Sequence, residues 1–169
     1  MLDLIVGSMF SGKSTELIRR MQRAKSIGKA CLMVNHSKDT RVAQNKVGTH
    51  SKLTVDAVHL PSIQALIKVL RTSTYDAVFV DEAQFFTDLE SVAELAYHYD
   101  ITLAGLVSDY QQNIFGKLHL LMCKADDIQF QRALCAVCRD GTPASFSKRV
   151  QGGSEQVLVG AEEYMAVCR

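Results

Sequence analysis

The sequence lacks a surplus of charge of either sign. Its 169 residues include 19 Lys and Arg side chains and 18 Asp and Glu side chains, which leaves a formal net charge of +1 at pH 7. Proteins that bind nucleic acid or membrane surfaces usually carry a clear excess of basic side chains. The balance therefore gives no electrostatic reason to expect such a partner, whereas a small anionic ligand needs only a local cluster of cations.

The sequence also lacks the patterns of membrane and secreted proteins. No apolar run approaches the length of a bilayer span, and the chain starts with a short apolar stretch rather than the charged and then apolar pattern of a signal peptide. The five cysteines are an odd number, and Cys31 and Cys123 lie in apolar stretches, which does not fit a secreted disulfide framework. We expect a soluble, cytoplasmic protein whose cysteines are reduced or bind a metal.

What the sequence does contain is a phosphate-binding pattern near its start. Residues 7–14 match G-x-x-x-x-G-K-[ST], the phosphate-binding loop (P-loop), after an apolar run at residues 2–6 that predicts a strand and before a helix predicted over residues 15–27. A glycine-rich turn without a ligand is the alternative, and the flanking strand and helix argue against it. The glycines let successive N–H groups converge on phosphate oxygens at a helix N-terminus. The residues predicted to hold ATP are Gly7, Ser8, Met9, Phe10, Ser11, Gly12, Lys13, which would reach the β- and γ-phosphates, and Ser14, which would bind Mg²⁺.

The rest of the pattern predicts strands and helices in alternation. Nearly continuous apolar runs are typical of strands that are covered on both faces of a parallel sheet. Such runs occur at residues 30–34, 77–80 and 101–106, with a further short strand within residues 55–60, and helical spacing predicts helices over residues 63–70 and 88–99, the second capped by Asp88 or a neighbour. The predicted fold class is α/β, a P-loop parallel sheet flanked by helices.

One long segment, residues 35–52, has no periodicity and many polar side chains. Loops of this length in a compact domain are usually functional or disordered. Because basic side chains lie near a predicted triphosphate site, we expect Arg41 to face the phosphates. The alternative is an ordinary solvated charged segment.

Two acidic residues follow the apolar strand at residues 77–80. In P-loop proteins an Asp at this place holds Mg²⁺, directly or through water. Adjacent residues at a strand end point to opposite sides, so Asp81 is predicted on the metal side and Glu82 on the substrate side. The alternative is a surface acidic pair. Four aromatic residues, Phe85, Phe86, Tyr110 and Phe115, are either ordinary core or the wall of a pocket for a flat base.

Together these pieces resemble the type II thymidine kinase family. The matching segments occur in family order and cover essentially the whole chain. Met9 and Phe10 inside the P-loop, followed by Asp-Glu-x-Gln-Phe-Phe, make a combination far more specific than a P-loop alone. The segments are residues 7–17, 38–41, 49–50, 81–86, 105–106, 109–110, 115–116, 135–138 and 157–169.

The resemblance implies transfer of the γ-phosphate of ATP to the 5′-hydroxyl of thymidine, and possible use of deoxyuridine, in nucleotide salvage. By position, Glu82 matches the family's general base. Beyond the P-loop, the residues that match the ATP site are Asp39, Thr40, Arg41, Asp81 and Gln84. Those that match the base pocket are Met9, Phe85, Leu106, Tyr110 and Phe115, and those that match the flexible lasso closing over the nucleoside (residues 155–164 here) are Glu155, Gln156, Val157, Leu158, Val159 and Tyr164.

The sequence departs from the family pattern in the base pocket and the lasso. Tyr110 stands where the family usually has Phe, which adds a hydroxyl that needs a partner. Val159 occupies a position often held by Gly, and its side chain restricts the turn. The lasso reads the base mainly through backbone hydrogen bonds, which is why the second change is compatible with the family's function. The resemblance also implies a homotetramer or a homodimer.

Three cysteines have the spacing of a zinc ribbon. Cys135-x-x-Cys138 is followed by Cys168, and structural zinc prefers four closed ligands. Family members usually supply a fourth ligand three positions beyond the residue that matches Cys168, whereas this sequence ends at Arg169. Either the sequence is cut short or another group completes the shell, and a redox pair or chance spacing are the alternatives. We expect a P-loop domain over residues 1–130 and a zinc-ribbon and lasso subdomain over residues 131–169.

Two other functional classes share the P-loop. A GTPase-like switch would need D-x-x-G after the strand and an N-K-x-D base-recognition motif, but Gln84 follows Asp81 and no N-K-x-D occurs. A nucleic-acid-dependent ATPase is the nearer alternative, because Asp-Glu-Ala-Gln resembles a helicase motif. Such a motor should carry a second domain and a basic track, and this short, nearly neutral sequence contains neither.

Overall fold

The fold is built on a central parallel sheet. The computed structural model describes residues 1–39, 46–48, 54–153, 155–158, 160 and 162–169. The strands and α-helices are, in chain order, β1 (Leu2–Gly7), α1 (Lys13–Ser26), β2 (Cys31–His36), β3 (Lys46–Gly48), β4 (Thr54–Asp56), β5 (Val58–Leu60), α2 (Ile63–Thr72), β6 (Ala77–Val80), α3 (Val92–Leu95), β7 (Asp100–Gly105), β8 (Asp127–Gln131), β9 (Ala133–Leu134), β10 (Pro143–Ala144), β11 (Phe146–Arg149) and β12 (Tyr164–Val167).

Six of these strands form one sheet in the order β5-β2-β6-β7-β1-β8. Every pairing within it is parallel, with Leu4 opposite Leu103 and Ile128, and Val34 opposite Val80. The predicted α/β class is confirmed, and β1, β2, β6 and β7 lie within about two residues of their predicted bounds. Residues 55–60 carry parts of two short strands, β4 and β5, instead of one, and β8 has no predicted counterpart. The carboxyl ends of β1 and β6 lie at the same edge of the sheet, with β7 between them, so the P-loop and Asp81 leave the sheet at one edge.

The sheet buries side chains on both faces, which explains the nearly continuous apolar runs. Leu4 belongs to the cluster that packs under α2, whereas the next residue, Ile5, packs with Leu17 and Met21 of α1 on the opposite face. Burying one such side chain completely stabilises the fold by about 1.5–3 kcal/mol. The two clusters fix the strands that carry the site.

The helices differ in how they begin. The N-cap of α1 is Gly12, in the left-handed conformation and without a side-chain cap, so the first N–H groups of this helix face the P-loop. In α2 the hydroxyl of the N-cap Ser62 accepts a hydrogen bond from Ala65 N at 3.1 Å. The carboxylate of Asp88 accepts two more, from Ile63 N at 2.9 Å and Gln64 N at 3.0 Å.

The predicted long helix at residues 88–99 is wrong. The segment forms a 3-10 turn (Leu89–Ser91), the single α-helical turn α3, and further turns. Asp88 does not cap this segment because its carboxylate is engaged at the start of α2. Leu89 and Val92 are nonetheless fully buried, as the apolar spacing predicted.

Three two-stranded antiparallel sheets complete the described chain: β3 with β4, β9 with β10, and β11 with β12. Strand β3 lies inside the segment that was predicted as a loop, whereas residues 40–45 and 49–53 are outside the described part. The pairs β9–β10 and β11–β12 surround a small core, which consists of Ala133, Cys135, Ala144 and Ala166. The boundary between domains at residue 130 stays a prediction. No helix in the described chain is long and apolar enough to cross a membrane.

Candidate active site

The P-loop turns sharply between β1 and α1. A Cβ atom at Gly7 would lie 2.1 Å from the Gln131 carbonyl oxygen, so only glycine allows β8 to approach this closely. Gly12 has φ of 85°, where side chains are strained. The Lys13 ammonium donates a hydrogen bond to the Ser8 carbonyl at 2.7 Å, across the mouth of the loop.

The loop offers what a phosphate group needs. The N-terminus of α1 lies at its end, and the Ser11 hydroxyl is buried without a hydrogen-bond partner among the described residues. Buried polar atoms in folded proteins are normally paired, so an orphaned hydroxyl in this loop fits an incoming phosphate oxygen. The predicted P-loop residues, Gly7, Ser8, Met9, Phe10, Ser11, Gly12, Lys13 and Ser14, thus lie together around one concave loop.

Asp81 lies beside this loop, at the carboxyl end of β6, and is only 4% exposed. Burial, and then the neighbouring Glu82 carboxylate, raises the pKa of Asp81 to about 7, while a hydrogen bond with the Ser14 side chain and the charge of Lys13 act in the opposite direction. A carboxylate and a hydroxyl in contact are a fitting pair of ligands for Mg²⁺. A divalent cation there would also favour the ionised form of Asp81.

Glu82 follows Asp81 directly, and its backbone is in the left-handed region, with φ of 51°. This conformation is uncommon for a residue with a side chain, and such strain is often found at functional sites. Glu82 N donates to the Asp81 carboxylate at 3.0 Å, while the Glu82 side chain lines a separate cavity. Asp81 is not among the residues that line this cavity, and the predicted placement of the two acids on opposite sides of the chain stays a prediction.

Gln84 fixes the Glu82 carboxylate. Its Nε2 donates to a Glu82 carboxylate oxygen, and its Oε1 accepts from Leu106 N at 3.0 Å. Two glycines leave room for it, because a Cβ atom at Gly105 would lie 2.6 Å from Gln84 Oε1 and one at Gly116 would lie 2.3 Å from the Gln84 carbonyl oxygen. Gln84 was predicted in the ATP site; in the structure it joins the acid to the end of β7 and lines the same cavity as Glu82.

The cavity has about 500 Å³ of empty space, a figure that includes open solvent at its mouth. Phe85 and Phe115 meet edge to face in its wall, with ring centroids 5.9 Å apart. The predicted nucleoside-site residues that line it are Met9, Phe85, Leu106, Tyr110, Phe115, Gln156, Val157, Leu158 and Tyr164. Of the four ambiguous aromatics, only Phe86 is core: it is fully buried against the ring of His36, with the centroids 4.6 Å apart.

Five predicted site residues remain, of which the structure describes Asp39 and Glu155. Asp39 is buried at the end of β2, where its carboxylate accepts from Asn35 Nδ2 at 2.9 Å. Glu155 is outside the cavity lining, and its carbonyl accepts from Arg149. Thr40, Arg41 and Val159 lie outside the described residues, so their predicted roles stay predictions.

Three residues that were not predicted as site residues make hydrogen bonds around the cavity. The Ser147 hydroxyl on β11 accepts from Met9 N at 2.9 Å, which joins the C-terminal strands to the P-loop. Asp109 accepts from the N–H groups of Gln111 and Asn113 and from Gln156 Nε2 of the lasso. Arg149 binds the lasso directly. Only Asp109 gave a sequence signal, since Asp often accepts backbone hydrogen bonds from the residues that follow it in a turn.

The three predicted metal ligands lie together. The sulfur atoms of Cys135, Cys138 and Cys168 are within 4.8 Å of one another, and Cys168 Sγ is 3.6 Å from each of the other two. Thiolates on a tetrahedral zinc ion, with Zn–S bonds of about 2.3 Å, would be about 3.8 Å apart, so the spacing fits. Backbone N–H groups of Cys138 and Cys168 point at Cys135 Sγ and lower its pKa to about 6, whereas hydrogen bonds with the sulfurs of Cys135 and Cys168 raise the pKa of Cys138 to about 11.

Comparisons with known proteins agree with this geometry. The family model described as "Thymidine kinase" matches residues 1–169. A thymidine kinase of Fowlpox virus (strain NVSL) is 34% identical over 176 residues, which cover 99% of this chain and 94% of the viral protein. A thymidine kinase of Pseudothermotoga lettingae is 37% identical (99% of this chain, 92% of that protein). One of Pyrobaculum aerophilum is 36% identical (100% and 96%).

Proposed function

The chain belongs to the thymidine kinase family, and we propose that it transfers the γ-phosphate of ATP to the 5′-hydroxyl of thymidine. The observation that carries this proposal is that two adjacent acidic residues, Asp81 and Glu82, have different surroundings. Asp81 contacts Ser14 at the P-loop, whereas Glu82 lines the neighbouring cavity with its aromatic wall. A phosphate donor and a nucleoside would then meet between two adjacent residues.

On the donor side, the P-loop and Lys13 would hold the phosphates of ATP, and Ser14 and Asp81 would hold Mg²⁺. The metal ion neutralises charge on the transferred phosphoryl group. Lys13 adds a fixed positive charge at the same place and orients the γ-phosphate. This preorganised charge is usually a large part of catalysis in phosphoryl transfer, which needs little covalent chemistry from the protein.

On the acceptor side, Glu82 would accept the proton of the 5′-hydroxyl as the oxygen attacks phosphorus. The hydrogen bond from Gln84 leaves the Glu82 carboxylate fewer orientations. Phe85 and Phe115 offer apolar surface for a flat pyrimidine. The lasso would cover the nucleoside and exclude water, which otherwise competes as a phosphate acceptor.

We also propose that Cys135, Cys138 and Cys168 hold a structural zinc ion. The small core around them contains mostly alanine, so apolar burial contributes little to holding β9, β10 and β12 together. Metal binding commonly replaces a core of this size in small subdomains. Zinc would take no part in phosphoryl transfer; it would fix the strands from which the lasso departs.

A nucleoside-dependence assay tests the proposed reaction. ATP consumption and nucleotide product would be measured with thymidine, deoxyuridine, other nucleosides, and single- and double-stranded DNA. We expect thymidine-dependent consumption of ATP with one thymidine monophosphate formed per ADP. Stimulation by DNA without any phosphorylated nucleoside would instead support a nucleic-acid-dependent ATPase, and turnover of GTP alone would support a switch protein.

A further inference from the structure

We infer that Arg149 is the positioning residue that holds the lasso closed, so that it sets thymidine affinity without contacting thymidine. The inference rests on the proposed function for the identity of the nucleoside, but its geometry is independent of it. Arg149 is the last residue of β11 and is not among the residues that line the cavity.

The Arg149 guanidinium binds both ends of the lasso. Its Nη1 donates to the Gly153 carbonyl at 2.9 Å, just before the lasso, and to the Glu155 carbonyl. Its Nη2 donates to the Gln156 carbonyl at 3.4 Å and to the Tyr164 hydroxyl. One side chain thus satisfies carbonyl groups of a segment that has irregular backbone, where such groups need a partner.

Tyr164 connects Arg149 to the middle of the lasso. Its hydroxyl accepts from Arg149 and donates to the Leu158 carbonyl at 3.2 Å. Leu158 and Tyr164 both line the nucleoside cavity. A change at Arg149 therefore reaches the cavity wall through one intervening residue.

Two aromatic rings hold the guanidinium itself in place. Its central carbon lies 4.0 Å from the centroid of the Tyr110 ring and 5.1 Å from that of Tyr164. Tyr110 also lines the cavity, so the base pocket and the lasso share this cation. A planar guanidinium with several donors can stack on a ring and bind several carbonyls at once, which the single ammonium of Lys cannot do.

The contacts of the Arg149 guanidinium with the lasso are called the clamp below. A second attachment of the lasso explains why the clamp would affect closure rather than folding. Gln156 Nε2 donates to the Asp109 carboxylate at 2.9 Å and to the Ile114 carbonyl at 3.3 Å, which ties the start of the lasso to the loop after β7. Strand β11 pairs with β12 independently of the Arg149 side chain. Loss of the guanidinium should therefore loosen the lasso while both strands remain.

The test compares Arg149→Met with Lys148→Met. Lys148 is the preceding residue of the same strand and is exposed, so its replacement removes the same charge without touching the lasso. The first measurement is the rate at which thermolysin cuts the full-length protein near the exposed Val157 in the absence of substrates. The second is the KM for thymidine, the KM for ATP and kcat.

We expect Arg149→Met to accelerate cleavage in the lasso and to raise the KM for thymidine by about 10- to 100-fold, the equivalent of one charge-assisted hydrogen bond, with the KM for ATP changed less than about twofold. Lys148→Met should match the wild type in both measurements. Arg149→Lys, which keeps the charge, should give a cleavage rate and a KM for thymidine between those of Arg149→Met and the wild type. If Arg149→Met has no cooperative thermal transition and is therefore not folded, Arg149→Lys replaces it in the test.

Three results would overturn the inference. Arg149→Met could behave like Lys148→Met, it could be cleaved faster with no change in the KM for thymidine, or it could raise both KM values equally. If the wild-type protein itself phosphorylates no thymidine, the proposed function is rejected, and faster cleavage of the lasso in Arg149→Met alone then still supports the hold of Arg149 on the lasso, so the two failures are distinguishable.

Discussion

Glu82 shows how one residue obtains its role from the backbone around it. Its backbone is in the left-handed region, it lines the cavity, and Gln84 Nε2 donates a hydrogen bond to its carboxylate. The surroundings of the two acids differ accordingly. The buried one, Asp81, contacts Ser14 at the P-loop, and Glu82 at the cavity is the proton acceptor that we propose.

We predict that Glu82→Gln keeps both KM values near those of the wild type and lowers kcat by about 10²- to 10⁴-fold. The amide keeps the shape of the side chain and loses its basicity. Single-turnover measurements with saturating thymidine and ATP would isolate the chemical step. Turnover near that of the wild type would remove Glu82 from the role of general base.

We predict that Gln84→Met lowers kcat more than it raises either KM. The substitution leaves Leu106 N–H without its acceptor and releases the Glu82 carboxylate, and an unpaired buried N–H costs about 1–3 kcal/mol of stability. Gln64→Met on the exposed face of α2 is the matched control and should change neither kinetics nor thermal stability. An increase confined to the KM for ATP would place Gln84 in the ATP site alone.

At the scale of elements, α1 and the lasso carry the two substrates separately. Lys13→Ala should impair the use of ATP, because it removes the cation from the N-terminus of α1. Tyr164→Ala should raise the KM for thymidine and leave ATP affinity nearly unchanged, because Tyr164 lines the cavity and binds the Leu158 carbonyl. Equilibrium binding of each ligand to each variant checks the separation, and a Tyr164→Ala variant that mainly loses ATP binding would contradict it.

Helix α2 depends on a residue 24 positions away in sequence, since the Asp88 carboxylate binds Gln64 N. We predict that Asp88→Ala destabilises the protein by about 0.5–2 kcal/mol, the usual cost of a lost helix cap. For a protein of this size the melting temperature would fall by about 2–4 °C per kcal/mol. Thermal unfolding measures it, with unchanged KM values as the control, and a melting temperature equal to that of the wild type would show that Asp88 is dispensable.

Asp88 also separates what could be predicted from the sequence from what could not. The strands of the sheet could be predicted because burial on both faces leaves a continuous apolar run, as at Ala77–Val80. The prediction of a helix after Asp88 was wrong. Asp is recognised as a helix cap by its residue type, and the sequence does not reveal that Asp88 caps α2 and not the segment that follows it. Apolar spacing correctly placed Leu89 and Val92 inward, but tertiary packing shortened the helix.

The candidate site divides in the same way. The P-loop, Asp81 and Glu82 could be predicted because their chemistry depends on residues close together in sequence. Arg149 and Ser147 could not, because their partners lie in distant segments and an alternating strand gives them no special pattern. The lasso residues were predicted from the resemblance to a family, but the Arg149 side chain that binds them was not.

At the scale of the whole molecule, the C-terminal strands hold the P-loop from outside. Ser8 Oγ donates to the Ala144 carbonyl at 3.1 Å, and Met9 N donates to Ser147 Oγ at 2.9 Å. Ala144 also belongs to the small core beside the cysteine cluster. The same short strands therefore contact the P-loop, the lasso and the proposed zinc site, so loosening them should affect substrate binding before the main sheet unfolds.

The last prediction concerns that zinc site. We expect the purified protein to contain about one zinc ion per chain, because three thiols at this spacing, one with its pKa lowered by backbone N–H groups, favour a structural metal. A chelator should raise the KM for thymidine at concentrations that leave the unfolding of the main sheet unchanged, since metal binding here stabilises only the strands around the lasso. Cys135→Ser should lose zinc and reproduce the effect of the chelator, whereas Cys123→Ser, an exposed thiol outside the cluster, should retain zinc and full activity. Zinc below about one-tenth per chain, with thymidine kinase activity intact and insensitive to chelator, would show that Cys135, Cys138 and Cys168 do not form a working metal site.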